Sequence, residues 1–261
     1  MIGLVCIAII IIFVIATYAD KKQRIRNFLL PPATRRLLEE HVDFYKKLDK
    51  NNKQLFEARI KDFLATTTIR GIDTNVEDLD RILVASGAII PIFSFPDWKY
   101  NNISEVLLYK DAFTHGFKTE GGKRNILGMV GDGPLHREMI LSKPSLRLSF
   151  SNAADGQNTA IHEFIHLLDK ADGEADGIPE YLLSQPGILP WVNKIHETIK
   201  EMKTKKHSDI NLYGATNDTE FFAVVSEYFF ERPDKLKANH PELYEMLDRM
   251  FHPQVVAAKT T

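Results

Sequence analysis

In the stretch TAIHEFIHLLDK, residues 159 to 170, two histidines stand four apart and a glutamate directly follows the first. On an α-helix, residues four apart share one face, one turn above the other. His162 and His166 can therefore aim two imidazoles at one ion. Glu163 falls about 100° further round the helix, where it can reach a water on that ion without binding the ion itself. A hydrolytic metal site needs these parts: neutral nitrogen ligands, an open coordination position, and a carboxylate to take the water's proton. The competing reading is an amphipathic helix with Ile161, Phe164, Ile165 and Leu168 on its core face and two incidental histidines.

A third ligand has to come from elsewhere. YGATNDTEFFAVVSEYFFERP, residues 213 to 233, offers Glu220 and Glu227. The two are seven apart, so both project from one face of the same helix. Each has a bland alternative. Asn217-x-x-Glu220 has the spacing of a capping box, in which the glutamate only ties down the helix start. Glu227 can be a solvated carboxylate on an amphipathic helix. Spacing alone leaves both open as the ligand. Asp169, three residues after His166, can orient an imidazole through a hydrogen bond or serve as a surface carboxylate near Lys170. His115, His136, His196 and His252 have no ligand spacing, and ordinary surface or core roles suit them better.

These residues need a scaffold, and the pattern around them supplies one. Residues 34 to 65 carry apolar positions at helical spacing, with Asn51 and Asn52 as the break between two helices. A third helix begins near Asn75. EVLLYKDAF (105–113) is a strand, and EMILSKPSLRLSF (138–150) reads as two strands around Lys143-Pro144 that could offer an edge to an extended peptide. Gly- and Asp-rich loop, with GDGP at 131–134, lies between them. Helices are expected near 156–170, 190–204 and 217–231, and a last one from Asp234 to Met250. The fold class is α+β, mostly helical, with a small antiparallel sheet.

The N-terminus has a different character. Residues 2 to 19 carry no charge, and at about 1.5 Å per residue they can cross a bilayer core. Lys21, Lys22, Arg24 and Arg26 follow, and no basic residue precedes the run, which puts the C-terminal side in the cytoplasm. A cleaved signal peptide would carry its basic residues before the apolar run, although ATYA before Asp20 offers a weak cleavage site. The expected organisation is a transmembrane anchor over 1–19, a basic juxtamembrane linker over 20–33, a catalytic domain over 34–255 and a tail over 256–261. Lys plus Arg number 33 against 35 Asp plus Glu, so nucleic acid is not an expected partner. The single cysteine, Cys6, excludes an intrachain disulfide.

HEFIHLLDKADGEADG followed by YGATNDTEFFAVVSEYFFERP resembles the Mlc titration factor A family of bacterial metallopeptidases. The second block is also similar to the catalytic domain of anthrax lethal factor, in which a tyrosine precedes the ligand glutamate by seven residues. The resemblance covers roughly residues 40 to 250, and only the two blocks are specific. It implies a zincin-like metallopeptidase domain holding one Zn²⁺ through His162, His166 and Glu220. Glu163 would then be the general base, Tyr213 the phenol beside the substrate, and Glu227 a supporting carboxylate. The implied activity is peptide-bond hydrolysis, with an aminopeptidase as one form of it. The family's soluble cytosolic members lack the anchor expected here, at the bacterial inner membrane, so repressor binding does not carry over with the motifs. A zinc-containing regulatory protein that sequesters a partner such as a transcriptional repressor is the alternative. An esterase or amidase using the same centre is a third.

Overall fold

The computed structural model describes residues 6–7, 17, 19–20, 22–95, 97–112, 128–130, 137–151, 156–179, 185–205 and 208–252. The apolar run 2–19 lies outside them apart from Cys6, Ile7, Thr17 and Ala19. The tail 256–261, GDGP, His115 and His136 lie wholly outside. Among the described residues no helix is long and apolar enough to cross a membrane.

The helical N-terminal half consists of α1 (Thr34–His41), α2 (Asp43–Lys47) and α3 (Lys50–Thr66). The break before α3 comes earlier than expected. Asp49 is the cap, its side chain accepting from the backbone N–H of Asn51 and Asn52, so both asparagines belong to the first turn. After β1 (Thr68–Ile72), α4 (Asp78–Ile92) opens with a capping box between Glu77 and Asp80. Then come β2 (Glu105–Tyr109), β3 (Gly128–Val130), β4 (Glu138–Ser142) and α5 (Lys143–Ser151). The C-terminal half is α6 (Thr159–Asp169), α7 (Gln185–Lys205), α8 (Asp218–Glu231), α9 (Pro233–Asn239) and α10 (Pro241–Phe251). The single last helix expected over 234–250 is two, because Pro241 takes the first position of a new one.

The α+β class holds, but the sheet corrects the expectation of an antiparallel one. Its order is β1-β2-β4-β3, with β1–β2 and β2–β4 parallel and β3–β4 antiparallel. The reason is visible in the strands. Val106, Leu108, Met139 and Leu141 enter the main core, while Leu107, Tyr109 and Ile140 form a second cluster on the other face. Strands buried on both faces read as continuous apolar runs, which is the mark of parallel pairing. The second strand expected after Lys143-Pro144 is α5. Pro144 sits in its first turn, Leu146 and Phe150 are one turn apart against the core, and Leu148 points outward at 61% exposure. β4 is therefore interior, and β3 is the edge strand beside it. α6 lies at the centre, packed on α4, α5, α8 and the β3–β4 side of the sheet.

Candidate metal centre

Two capped helices packed side by side in opposite directions build the centre, the α6 N-cap lying against the C-terminal end of α8. Asn158 caps α6: its Oδ1 accepts from Ile161 N at 3.1 Å. Asn158 also ties α6 to α8, since its backbone N–H donates to Glu227 Oε2 at 2.6 Å and its Nδ2 to Glu231 Oε1 at 3.0 Å. Asn217 caps α8 through its side chain, which accepts from Glu220 N at 2.8 Å. The carboxylate of Glu220 is not spent on that cap and turns to the histidines instead.

His162 Nε2 and Glu220 Oε2 are 3.0 Å apart, His162 Nε2 and His166 Nε2 3.0 Å, and His166 Nε2 and Glu220 Oε2 3.5 Å. Among the described residues these three make up a group able to hold a metal ion. Ligand atoms placed tetrahedrally roughly 2.0–2.1 Å from one ion would lie about 3.3 Å apart. The observed triangle brackets that spacing. Its donor set, two imidazoles and a carboxylate, suits a divalent transition metal.

Glu227 stands at the other end of the first imidazole, its Oε1 2.6 Å from His162 Nδ1. A carboxylate only accepts, so Nδ1 carries a proton, and a cation taking the place of the proton on Nε2 would meet that nitrogen's lone pair in the triangle. Without a cation, burial disfavours the charged His162 ring. The charges of Glu227 and Glu163 and the hydrogen bonds the ring donates to Glu220 and Glu227 outweigh it, and hold the ring protonated well above the ordinary histidine range. Burial pushes Glu220 up, but hydrogen bonds from His162 and His166 win and hold it far below the usual carboxylate range. The pocket is thus rich in negative charge and short of positive charge.

Glu163 is buried on the same helix, and burial raises its pKa. The edge strand passes directly over it: a Cβ on Gly128 would stand 2.5 Å from Glu163 Oε1. Tyr213 sits on a single 3-10 turn (Leu212–Ala215), 53% exposed, its ring centroid 6.0 Å from that of His162. Burial, then the charge of Glu220, raises the phenol to about 12. Asp169 is neither a surface carboxylate nor hydrogen-bonded to His166. It is 1% exposed, and its Oδ2 accepts from Gly177 N at 2.9 Å. Burial raises it to about 7. It shapes the loop at Gly177, where φ is +76° and a Cβ would meet Asp218 O at 2.4 Å. His196 pairs with Asp218 and His252 with Asp248, both away from the triangle. Two contributors escaped the sequence reading. Asn158 carries an N-cap signal directly before the helix, whereas nothing local marks Gly128.

The donor set defines a metal-site domain, its triangle of candidate ligands built on two helices. The chain belongs to the glucose-regulated metallo-peptidase M90 family, whose sequence profile matches residues 17–252. An uncharacterized protein of Synechocystis sp. (strain ATCC 27184 / PCC 6803 / Kazusa) is 29% identical over 234 residues, which cover 85% of this chain and 84% of that one. Mlc titration factor A of Serratia proteamaculans (strain 568) is 28% identical over 177 residues, 62% of this chain and 64% of its own length. The Mlc titration factor A of Escherichia fergusonii is 33% identical over 120 residues, 43% of this chain and 44% of its own. The chain therefore spans less than two thirds of either titration factor.

Proposed function

We propose that the protein is a zinc-dependent peptidase with Glu163 as its general base. The observation that carries this reading is the convergence of His162 Nε2, His166 Nε2 and Glu220 Oε2 beside a buried carboxylate. A bound Zn²⁺ would supply Lewis acidity and an acidified water. His162, His166 and Glu220 would hold it, with Glu227 fixing the tautomer of His162. Glu163 takes a proton from the attacking water and delivers it to the leaving amine. Tyr213, its pKa at about 12, stays protonated at neutral pH and donates to the developing oxyanion. Gly128 keeps the edge strand close enough to confine the Glu163 carboxylate. A purely structural site would close its fourth position and have no use for a base or a phenol.

The test is elemental analysis and turnover of an aminoacyl chromogenic panel on wild type and Glu163→Gln. One zinc per chain in both, with turnover in wild type alone, is the expected result. Absence of zinc from both would end the reading. A second reading comes from the name of the relatives, Mlc titration factor A: capture of a protein partner, with zinc serving structure. Zinc in both proteins and turnover in neither, across a broad peptide panel, would favour it. The same proposal places the domain in the cytoplasm, tethered at the bacterial inner membrane through residues 2–19. This rests on the uncharged run and the basic residues after it. Protease digestion of the domain in intact spheroplasts, rather than only after lysis, would overturn that placement.

A further inference from the structure

Tyr213 reaches the metal centre from a turn of four residues, in which Leu212 and Tyr213 are both 53% exposed and only Gly214 is buried. Packing around the tyrosine itself therefore does little to fix where its ring stands. Downstream the turn is secured at once. Thr216 Oγ1 donates to Tyr213 O at 2.7 Å, Asn217 caps α8, and a Cβ on Gly214 would stand 3.2 Å from Val224 Cβ. Upstream the situation differs. A cleft of about 260 Å³ opens between residues 208–212 and the Val224 and Tyr228 side of α8, so that stretch does not lie flush on the helix. Ile210 turns into the core at 1% exposure, and Asn211 Oδ1 accepts from Tyr213 N at 3.0 Å.

The remaining hold on this stretch converges on one carboxylate. Asp209 Oδ2 accepts from Tyr228 Oη at 2.6 Å and from Asn239 Nδ2 at 2.7 Å, and its Oδ1 accepts from His240 Nε2 at 2.8 Å. These donors stand in the last turn of α8, at the end of α9 and just before α10. Burial pushes the Asp209 carboxyl up, but the three hydrogen bonds outweigh it and hold it far below the usual carboxylate range. An aspartate that shapes only its own loop bonds to backbone two residues on. This one reaches 19, 30 and 31 residues along the chain. α8 carries Glu220 in its first turn and grips Asp209 from its last, so the metal-site carboxylate and the turn bearing the phenol are referred to one rigid element.

We propose that Asp209 is the positioning residue for Tyr213, setting the turn so that the phenol stands beside the His162 ring, 6.0 Å between centroids. Its catalytic consequence rests on the reading of Tyr213 as the donor to the oxyanion. Without the Asp209 clamp the turn keeps its downstream anchors and loses its upstream one, and the ring swings away from the centre.

The full chain in detergent micelles, labelled with 3-fluorotyrosine, would be followed by fluorine NMR, the Tyr213 line being assigned by its loss in Tyr213→Phe. In Asp209→Asn that line should move toward the shift of free fluorotyrosine, while the lines of buried Tyr45 and Tyr100 stay in place. Tyr228→Phe removes one donor and leaves residues 208–213 unaltered, and should move the Tyr213 line the same way by less. In turnover, Asp209→Asn should lower kcat about tenfold with KM within twofold, and lower it no further when Tyr213 is already Phe. A Tyr213 line unmoved in both variants, or an equal loss of kcat in the Tyr213→Phe background, would overturn the proposal. Absence of turnover in wild type would strike the peptidase reading instead, and the fluorine line would still decide whether Asp209 sets the ring.

Discussion

The two sides of α6 handle polar atoms in opposite ways. On the histidine side, both nitrogens of His162 are engaged, Glu227 is shared between that ring and the backbone of Asn158, and Glu220 reaches both imidazoles. On the Phe164 side, the buried hydroxyl of Tyr100 has no hydrogen-bond partner. A buried polar group without a partner is costly, whereas groups engaged at every atom hold a fixed direction. The first arrangement suits an ion held at a fixed point, and the second carries a hydroxyl that the packing around it tolerates.

Four substitutions break or sharpen that contrast. Glu163→Gln should lower turnover by about 10³-fold or more while bound metal is unchanged, read by steady-state kinetics beside elemental analysis. Tyr213→Phe should lower kcat by about 10²-fold and leave KM nearly alone, because its hydrogen bond belongs to the transition state. An equal rise in KM would instead make Tyr213 a substrate-binding group. Glu227→Gln should weaken metal binding by roughly 10–100-fold in chelator competition, since the ring it orients loses its fixed tautomer. Unchanged affinity would leave Glu227 as a link between helices alone. Tyr100→Phe, on the opposite side, should leave turnover within twofold of wild type and raise the melting temperature by a few degrees, because it removes a buried hydroxyl that has no partner, at a cost of about 1 kcal/mol or more. A marked loss of activity there would mean that the two sides are coupled through Phe164.

Much of the centre was legible because a helix converts spacing into direction. HEFIH placed two imidazoles and a carboxylate before any tertiary information. Glu220 and Glu227 could not be separated that way, and the structure explains why. α8 packs against α6 in the opposite direction, so that the two carboxylates address one imidazole from its two ends, Glu220 at Nε2 and Glu227 at Nδ1. Their common face was a correct inference, and their division of labour depends on a packing that spacing does not encode. The sheet was harder to read. EVLLY and EMILS signalled strands, yet the sense of pairing lies in their lack of alternation. The short β1, TIRGI, has a glycine and an arginine among its five residues and gives little strand signal. Leu146, Leu148 and Phe150 alternate as a strand would, but three residues cannot outweigh a proline suited to a helix start. Gly128 is silent in sequence because its role is to be small next to Glu163, a contact made across the sheet edge.

The hydrogen bonds that complete the centre also set the order in which it can be assembled. Glu220 follows His162 by 58 residues and Glu227 by 65. A chain emerging from the ribosome therefore displays both imidazoles well before either carboxylate exists. During that interval α6 has neither its tether to α8 through Asn158 nor a fixed ring at His162. Capture of an ion by all three ligands would wait for α8, so metal loading would be a late event in the life of the nascent chain. A chain cut short before α8 would carry the motif without the grip.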